Sequence, residues 1–207
     1  MIHRIAILAS GAGSNAANII RHFEHSSSVS IVCVISNRKA AGVLDIARQS
    51  GIPGVYVPSA DAEGPGTLLR ILKEHNVNLV VLAGYLRKVP DDVIGYYKDR
   101  ILNIHPALLP AHGGPGMFGH HVHESVFRDK DEYSGITVHL VNEHYDEGEI
   151  LFQAKVRVLG MSASEIEAAV RKLEILHFPA VIEEFTERIP VQVLPNVQGG
   201  NLSTDQV

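Results

Sequence analysis

Ile5-Ala6-Ile7-Leu8-Ala9-Ser10-Gly11-Ala12-Gly13-Ser14-Asn15 is an apolar run that ends in a glycine loop. Such a run suits a short strand buried on both faces. Ala16, Ala17, Ile19, Ile20 and Phe23 then take up helical spacing. The order strand, glycine loop, helix is the opening unit of an α/β sheet. Working outward, Val29–Ile35 reads as a second buried strand and residues 41–49 as a helix. A short third strand fits 55–57, and Leu68, Leu69, Ile71 and Leu72 mark another helix. Residues 78–83 form a strand bounded by Gly84, residues 93–97 a short helix, and residues 100–105 a central strand.

Residues 106–119 hold three prolines and four glycines, so they form a loop long enough to suspect function. A helix over 121–127 follows, then strands over 135–141 and 150–158. The short link 142–149 suits an antiparallel hairpin better than a crossover. The last helix starts at Ser162, with Glu165 completing a capping box. Ile166, Val170, Leu173 and Leu176 or His177 supply its apolar stripe. The fold class is therefore α/β: a Rossmann-like three-layer sandwich, mostly parallel, with one antiparallel strand near the C-terminal side. Residues 1–190 make one domain, and the polar residues 191–207 are expected to be disordered.

The bulk numbers narrow the function. The 207 residues are 45% hydrophobic and 20% charged, ordinary for a globular protein. A net charge of −5 argues against a general nucleic-acid binder. Cys33, the lone cysteine, lies in an apolar strand, which excludes an internal disulfide and suits a reduced, cytoplasmic setting. No run is long enough to span a membrane.

Chemistry concentrates at Leu102-Asn103-Ile104-His105-Pro106 and at Tyr145-Asp146-Glu147-Gly148. Asn103 and His105 are two apart, so they share one face of a strand while Ile104 turns into the core. Pro106 has no N–H to continue the ladder. Two polar side chains are thus presented where the sheet ends, the place where open α/β sheets bind ligands. An amide, an imidazole and the Asp146 carboxylate are the parts needed to move a proton and hold an oxyanion. The competing reading is a buried Asn and His that satisfy each other, with Asp146 a turn former.

Gly13, Ser14 and Asn15 also have two readings. The loop fits the dinucleotide pattern, but Asn37-Arg38-Lys39 replaces the usual ribose-binding acid, so it would mean NADP. A glycine turn with hydroxyl and amide groups at a helix N-terminus also suits a phosphate monoester. Arg171 and Glu174 lie three apart and share a helix face, where a surface ion pair is the plain reading. Histidines are dense between 104 and 145, yet His120-His121-Val122-His123 carries no paired metal-ligand motif, and no metal is expected.

Residues 103–110, 134–139 and 146–151 together resemble the formyltransferases that use 10-formyltetrahydrofolate, and Ser10–Asn15 narrows the resemblance to the branch that acts on glycinamide ribonucleotide in purine synthesis. The resemblance covers about residues 3–185. It implies that Asn103, His105 and Asp146 are catalytic, and that Gly13, Ser14 and Asn15 hold the ribonucleotide phosphate. By the same resemblance Arg171 and Glu174 lie near the ribonucleotide, and Leu86, Arg87, Val89 and Tyr145 border the folate pocket. The resemblance also implies 10-formyltetrahydrofolate as the co-substrate, with the protein expected to be a monomer or homodimer. The mechanism it implies has Asn103 and a protonated His105 hold the oxyanion while Asp146 relays the proton, and it leaves open the charge of His105 in the free chain.

The loop 111–119 is a glycine-rich variant, expected to leave the catalytic residues unaffected. Methionyl-tRNA formyltransferases and formyltetrahydrofolate deformylases share the core but carry further domains that this chain is expected to lack. A hydrolase of the same folate and an NADP-binding Rossmann protein remain the alternatives.

Overall fold

The computed structural model describes residues 2–58 and 66–191. Seven strands form one sheet. They are β1 (His3–Leu8), β2 (Val29–Ser36), β3 (Gly54–Tyr56), β4 (Leu79–Leu82), β5 (Ile101–His105), β6 (Tyr133–Leu140) and β7 (Ile150–Arg157). Their order is β3-β2-β1-β4-β5-β6-β7. All neighbours from β3 to β5 are parallel. β6 pairs antiparallel with both β5 and β7, so it alone runs against the rest. Among the described residues the helices are α1 (Ser14–His22), α2 (Gly42–Gln49), α3 (Thr67–Glu74), α4 (Asp91–Tyr96), α5 (His120–Asp129) and α6 (Ala163–Arg188).

The period of two in the strands sorts their side chains into two cores. Ile5, Ile7, Leu79, Val81, Leu102 and Ile104 face α1, α2, α5 and α6. Ala6, Leu8, Val80, Leu82 and Ile101 face α3 and α4. Over residues 5–8, 31–35 and 79–82 the strands are therefore apolar on both faces, as a sheet covered on both sides requires. Asn103 and His105 take the positions where the second core would continue. Cys33 belongs to that core, and burial pushes its thiol up to about 12, so it is no nucleophile.

The strands begin and end within one or two residues of the sequence expectation. α6 departs from it more. Its capping box forms, with Ser162 accepting from the Glu165 N–H and Glu165 accepting from the Ser162 N–H. Leu176, however, is 68% exposed. The buried stripe runs instead through Ile166, Val170, Phe178, Val181, Ile182 and Phe185. His177 lies against the Phe152 ring. Pro179 sits inside the helix and cannot donate to the Ile175 carbonyl. Asn18 Nδ2 of α1 donates to that carbonyl instead, at 2.6 Å. The tail expected to be disordered falls, from residue 192 on, outside the described residues. Among the described residues, no helix is long and apolar enough to cross a membrane.

Candidate active site

The C-terminal ends of β1, β4 and β5 lie side by side, at the point where the strand order reverses direction. A cavity of about 450 Å³ opens there. Every site residue named from the sequence lines it: Gly13, Ser14, Asn15, Leu86, Arg87, Val89, Asn103, His105, Tyr145, Asp146, Arg171 and Glu174.

The strand register brings Asn103 opposite His139 of β6. His139 Nδ1 contacts the Leu140 carbonyl at 2.7 Å, and a carbonyl only accepts, so Nδ1 carries the proton. His139 Nε2 is then left to accept from Asn103 Nδ2, 3.1 Å away. That bond fixes which way the Asn103 amide points and leaves its second N–H free.

The same logic applies to His105, whose Nε2 meets the carbonyl of His112 at 2.8 Å and must donate to it. His105 Nδ1 faces Asp146 Oδ2 at 3.6 Å. The link between β6 and β7 folds back to bring Asp146 there, with Oδ1 3.5 Å from His139 Nε2. Gly148 permits this return, because a Cβ at that position would sit 1.7 Å from the Leu140 carbonyl oxygen. Asp146 itself has φ of +58°, and its Oδ2 accepts the Gly114 N–H at 2.9 Å.

Burial lowers the His105 imidazole below its ordinary value, against the opposing pull of Asp146 and the His112 carbonyl. The neutral imidazole is therefore favoured in the unliganded chain, a point the sequence left open. Burial pushes the Asp146 carboxyl up, but the His139 and His105 rings and the Gly114 N–H outweigh it and hold it low. The glycine-rich loop, against expectation, does not leave the trio unaffected: His112 and Gly114 bond directly to His105 and Asp146.

The loop after β1 is a distinct polar surface. α1 begins with Gly13 at its N-cap, and no side chain caps the helix. Its first N–H groups consequently lack intrahelical partners. Gly13 has φ of +84°, and a Cβ there would lie 2.8 Å from Val43. Ser14 does not cap the helix; its Oγ accepts from Arg171 Nη2 at 3.3 Å. Asn15 Nδ2 donates to Glu174 Oε2 at 3.0 Å. Arg171 and Glu174 therefore reach across to the glycine loop rather than forming the surface pair with each other. Burial raises the Glu174 carboxyl, and Asn15 and Arg171 oppose the shift. Asn37 is likewise engaged, accepting from Ser10 Oγ at 2.5 Å, while Ser10 Oγ accepts the Leu86 N–H at 2.8 Å.

Among the described residues, no group of three or more His, Cys, Asp or Glu side chains is placed to hold a metal ion.

A family model described as formyl transferase matches residues 3–182. The chain belongs to the formyl transferase family. It is 41% identical over 180 residues to the chloroplastic phosphoribosylglycinamide formyltransferase of Arabidopsis thaliana, covering 84% of this chain but 61% of that protein. It is 37% identical over 191 residues to the phosphoribosylglycinamide formyltransferase of Haemophilus influenzae, covering 89% and 87%. It superposes on the crystal structure of the phosphoribosylglycinamide formyltransferase of Anaplasma phagocytophilum with a TM-score of 0.83 and 32% identity, over 91% of this chain and 88% of that one.

Within the family frame, strand spacing made Asn103 and His105 visible in the sequence. His139 and His112 were not singled out. His139 needs the β5–β6 register, and His112 acts through its backbone, which a sequence does not display.

Proposed function

We propose that this chain transfers the formyl group of 10-formyltetrahydrofolate to the primary amine of glycinamide ribonucleotide. The observation that carries the reading is one cavity that combines the Asn103, His105 and Asp146 trio with the uncapped N-terminus of α1. The free N–H groups, Ser14 and the Arg171 guanidinium suit a phosphate dianion. Glu174 stands beside them as an acceptor for ribose hydroxyls. Leu86, Arg87, Val89 and Tyr145 supply an apolar wall with a cation for the folate.

The amine attacks the formyl carbon, a C–N bond forms, and negative charge develops on the formyl oxygen. The unused N–H of Asn103 donates to that oxygen. A donor of this kind is typically worth ~10²–10³ in rate. The attacking nitrogen gives its proton to the His105–Asp146 pair, at His105 Nδ1 directly or through water. The imidazolium so formed adds its charge beside the oxyanion, with Asp146 as counter-ion. As the bond from carbon to the folate nitrogen breaks, that nitrogen takes the proton. No covalent enzyme intermediate is required.

One assay separates this reading from its rivals. Release of tetrahydrofolate from 10-formyltetrahydrofolate only when glycinamide ribonucleotide is present is the expected result. Release without the ribonucleotide would make the protein a hydrolase. No release, together with NADP binding, would leave only a dinucleotide-binding fold.

A further inference from the structure

We propose that His112 is a positioning residue for His105, its side chain anchoring a backbone carbonyl that selects the His105 tautomer. The inference rests on the catalytic reading of His105 given above.

Two acceptors compete for the single proton of a neutral His105. Asp146 Oδ2 lies 3.6 Å from Nδ1, and its negative charge favours an Nδ1–H. The His112 carbonyl lies 2.8 Å from Nε2 and favours an Nε2–H. Only the second tautomer leaves Nδ1 bare, beside Asp146 and open to take a proton. The tautomer is therefore decided by how firmly the His112 carbonyl is held.

The chain holds it by unusual means. His112 has φ of +54°, a left-handed conformation that costs a residue with a Cβ and that a loop rich in glycine had no need to place on a histidine. The side chain supplies the reason. Its Nε2 meets Asp131 Oδ2 at 2.6 Å, and its Nδ1 meets Ser125 Oγ at 3.0 Å. Ser125 is buried on α5 and also accepts from Arg128 Nη2 at 2.8 Å. Asp131 follows that helix, its N–H bonded to the Val126 carbonyl. Both ring nitrogens of His112 are thus tied to α5 and the residues just after it. The carbonyl of the same residue inherits that rigidity, as an outer partner does when it fixes a ring's tautomer.

The test uses His112→Gly, which accepts the positive φ but has no side chain to anchor, and Asp131→Ala, which alters only a half-exposed surface carboxylate. In each, the His105 ring nitrogens are observed by long-range ¹H–¹⁵N correlation at neutral pH, with His105→Gln identifying the signals. The intact chain shows Nε2–H. Both variants are expected to gain the Nδ1–H form. Their kcat falls by roughly 10-fold to 100-fold, with both KM values within about twofold of the parent. Asp131→Asn keeps an acceptor for His112 Nε2 and restores much of the loss.

An Nε2–H tautomer retained in both variants, with kcat unchanged, overturns the proposal. So does a loss confined to KM. If His105→Gln transfers formyl normally, the catalytic reading fails instead, and the tautomer measurement still decides the positioning role.

Discussion

Asp146 occupies a conformation that tests its role cleanly. Its φ of +58° is one that asparagine adopts readily. The amide oxygen of an asparagine can also accept the Gly114 N–H that Asp146 accepts now. Asp146→Asn therefore preserves the turn and removes only the charge and the proton acceptor. Its kcat should fall by roughly 10²–10⁴ with both substrates still bound, and near-normal turnover would reduce Asp146 to a turn former. Asn103 is less separable from stability than spacing suggested. Truncating it strands His139 Nε2, on a residue only 2% exposed. Asn103→Ala should lose about 1–3 kcal/mol of stability and about 10²–10³ in kcat. Turnover must accordingly be counted per folded molecule, by a denaturant melt paired with single-turnover formyl transfer. If the melt shifts while transfer per folded molecule does not, Asn103 only braces His139. At this scale the sequence disclosed which residues meet. It did not disclose that burial keeps His105 neutral, because desolvation depends on neighbours far away in the chain.

Among the elements, α1 and α6 behave as one unit. Ser14, Asn15, Asn18 and His22 each bond across to α6, at Arg171, Glu174, the Ile175 carbonyl and Glu183. The phosphate-facing turn is thus braced by the helix that carries Arg171 and Glu174. Glu174→Ala should raise the KM for the ribonucleotide more than that for the folate. A change in melting temperature alone would make Glu174 only a brace for Asn15. Spacing on α6 placed Arg171 and Glu174 on one face correctly but could not say what that face met. It also ended the apolar stripe at Leu176 or His177, whereas Leu176 points outward and the buried face continues through Phe178, Val181, Ile182 and Phe185.

Across the whole molecule, three buried histidines set a pH response. His3 on β1, His105 on β5 and His123 on α5 are each lowered from 6.5, burial being the leading cause. An unfolded chain binds protons at these sites more readily than the folded one, so stability rises with pH. Their contribution is complete above 6.5 and drains as pH falls toward the folded values. Asp146, also lowered, continues the trend in stronger acid. Glu174 opposes it, because its raised carboxyl gains protons in the folded state first. Urea midpoints should therefore drop between about pH 7.5 and 5.5, and a flat profile would contradict the three-histidine account. The sheet itself was legible from strand order, the short 142–149 link and the glycine loop, since each is a local signal. The fold-back of Asp146 was not, because it depends on a close approach of Gly148 to β6.

The missing N–H of Pro179 has a further consequence, visible in amide hydrogen exchange. Nothing in the backbone ladder ties Ile175 to residue 179; an amide from another helix does that work. The expected outcome is that 163–178 opens as a cooperative unit of its own, although Ile166, Val170 and Phe178 are buried, while 181–188 remains closed. Exchange in the intact chain should show a step in protection across Pro179. Asn18→Ala should deepen that step, speeding exchange at 172–178 and leaving 181–188 unchanged. Uniform acceleration along the whole helix would mean that α6 opens as a single piece. If the step appears, the segment that carries Arg171 and Glu174 opens at a lower free energy than the core it rests on.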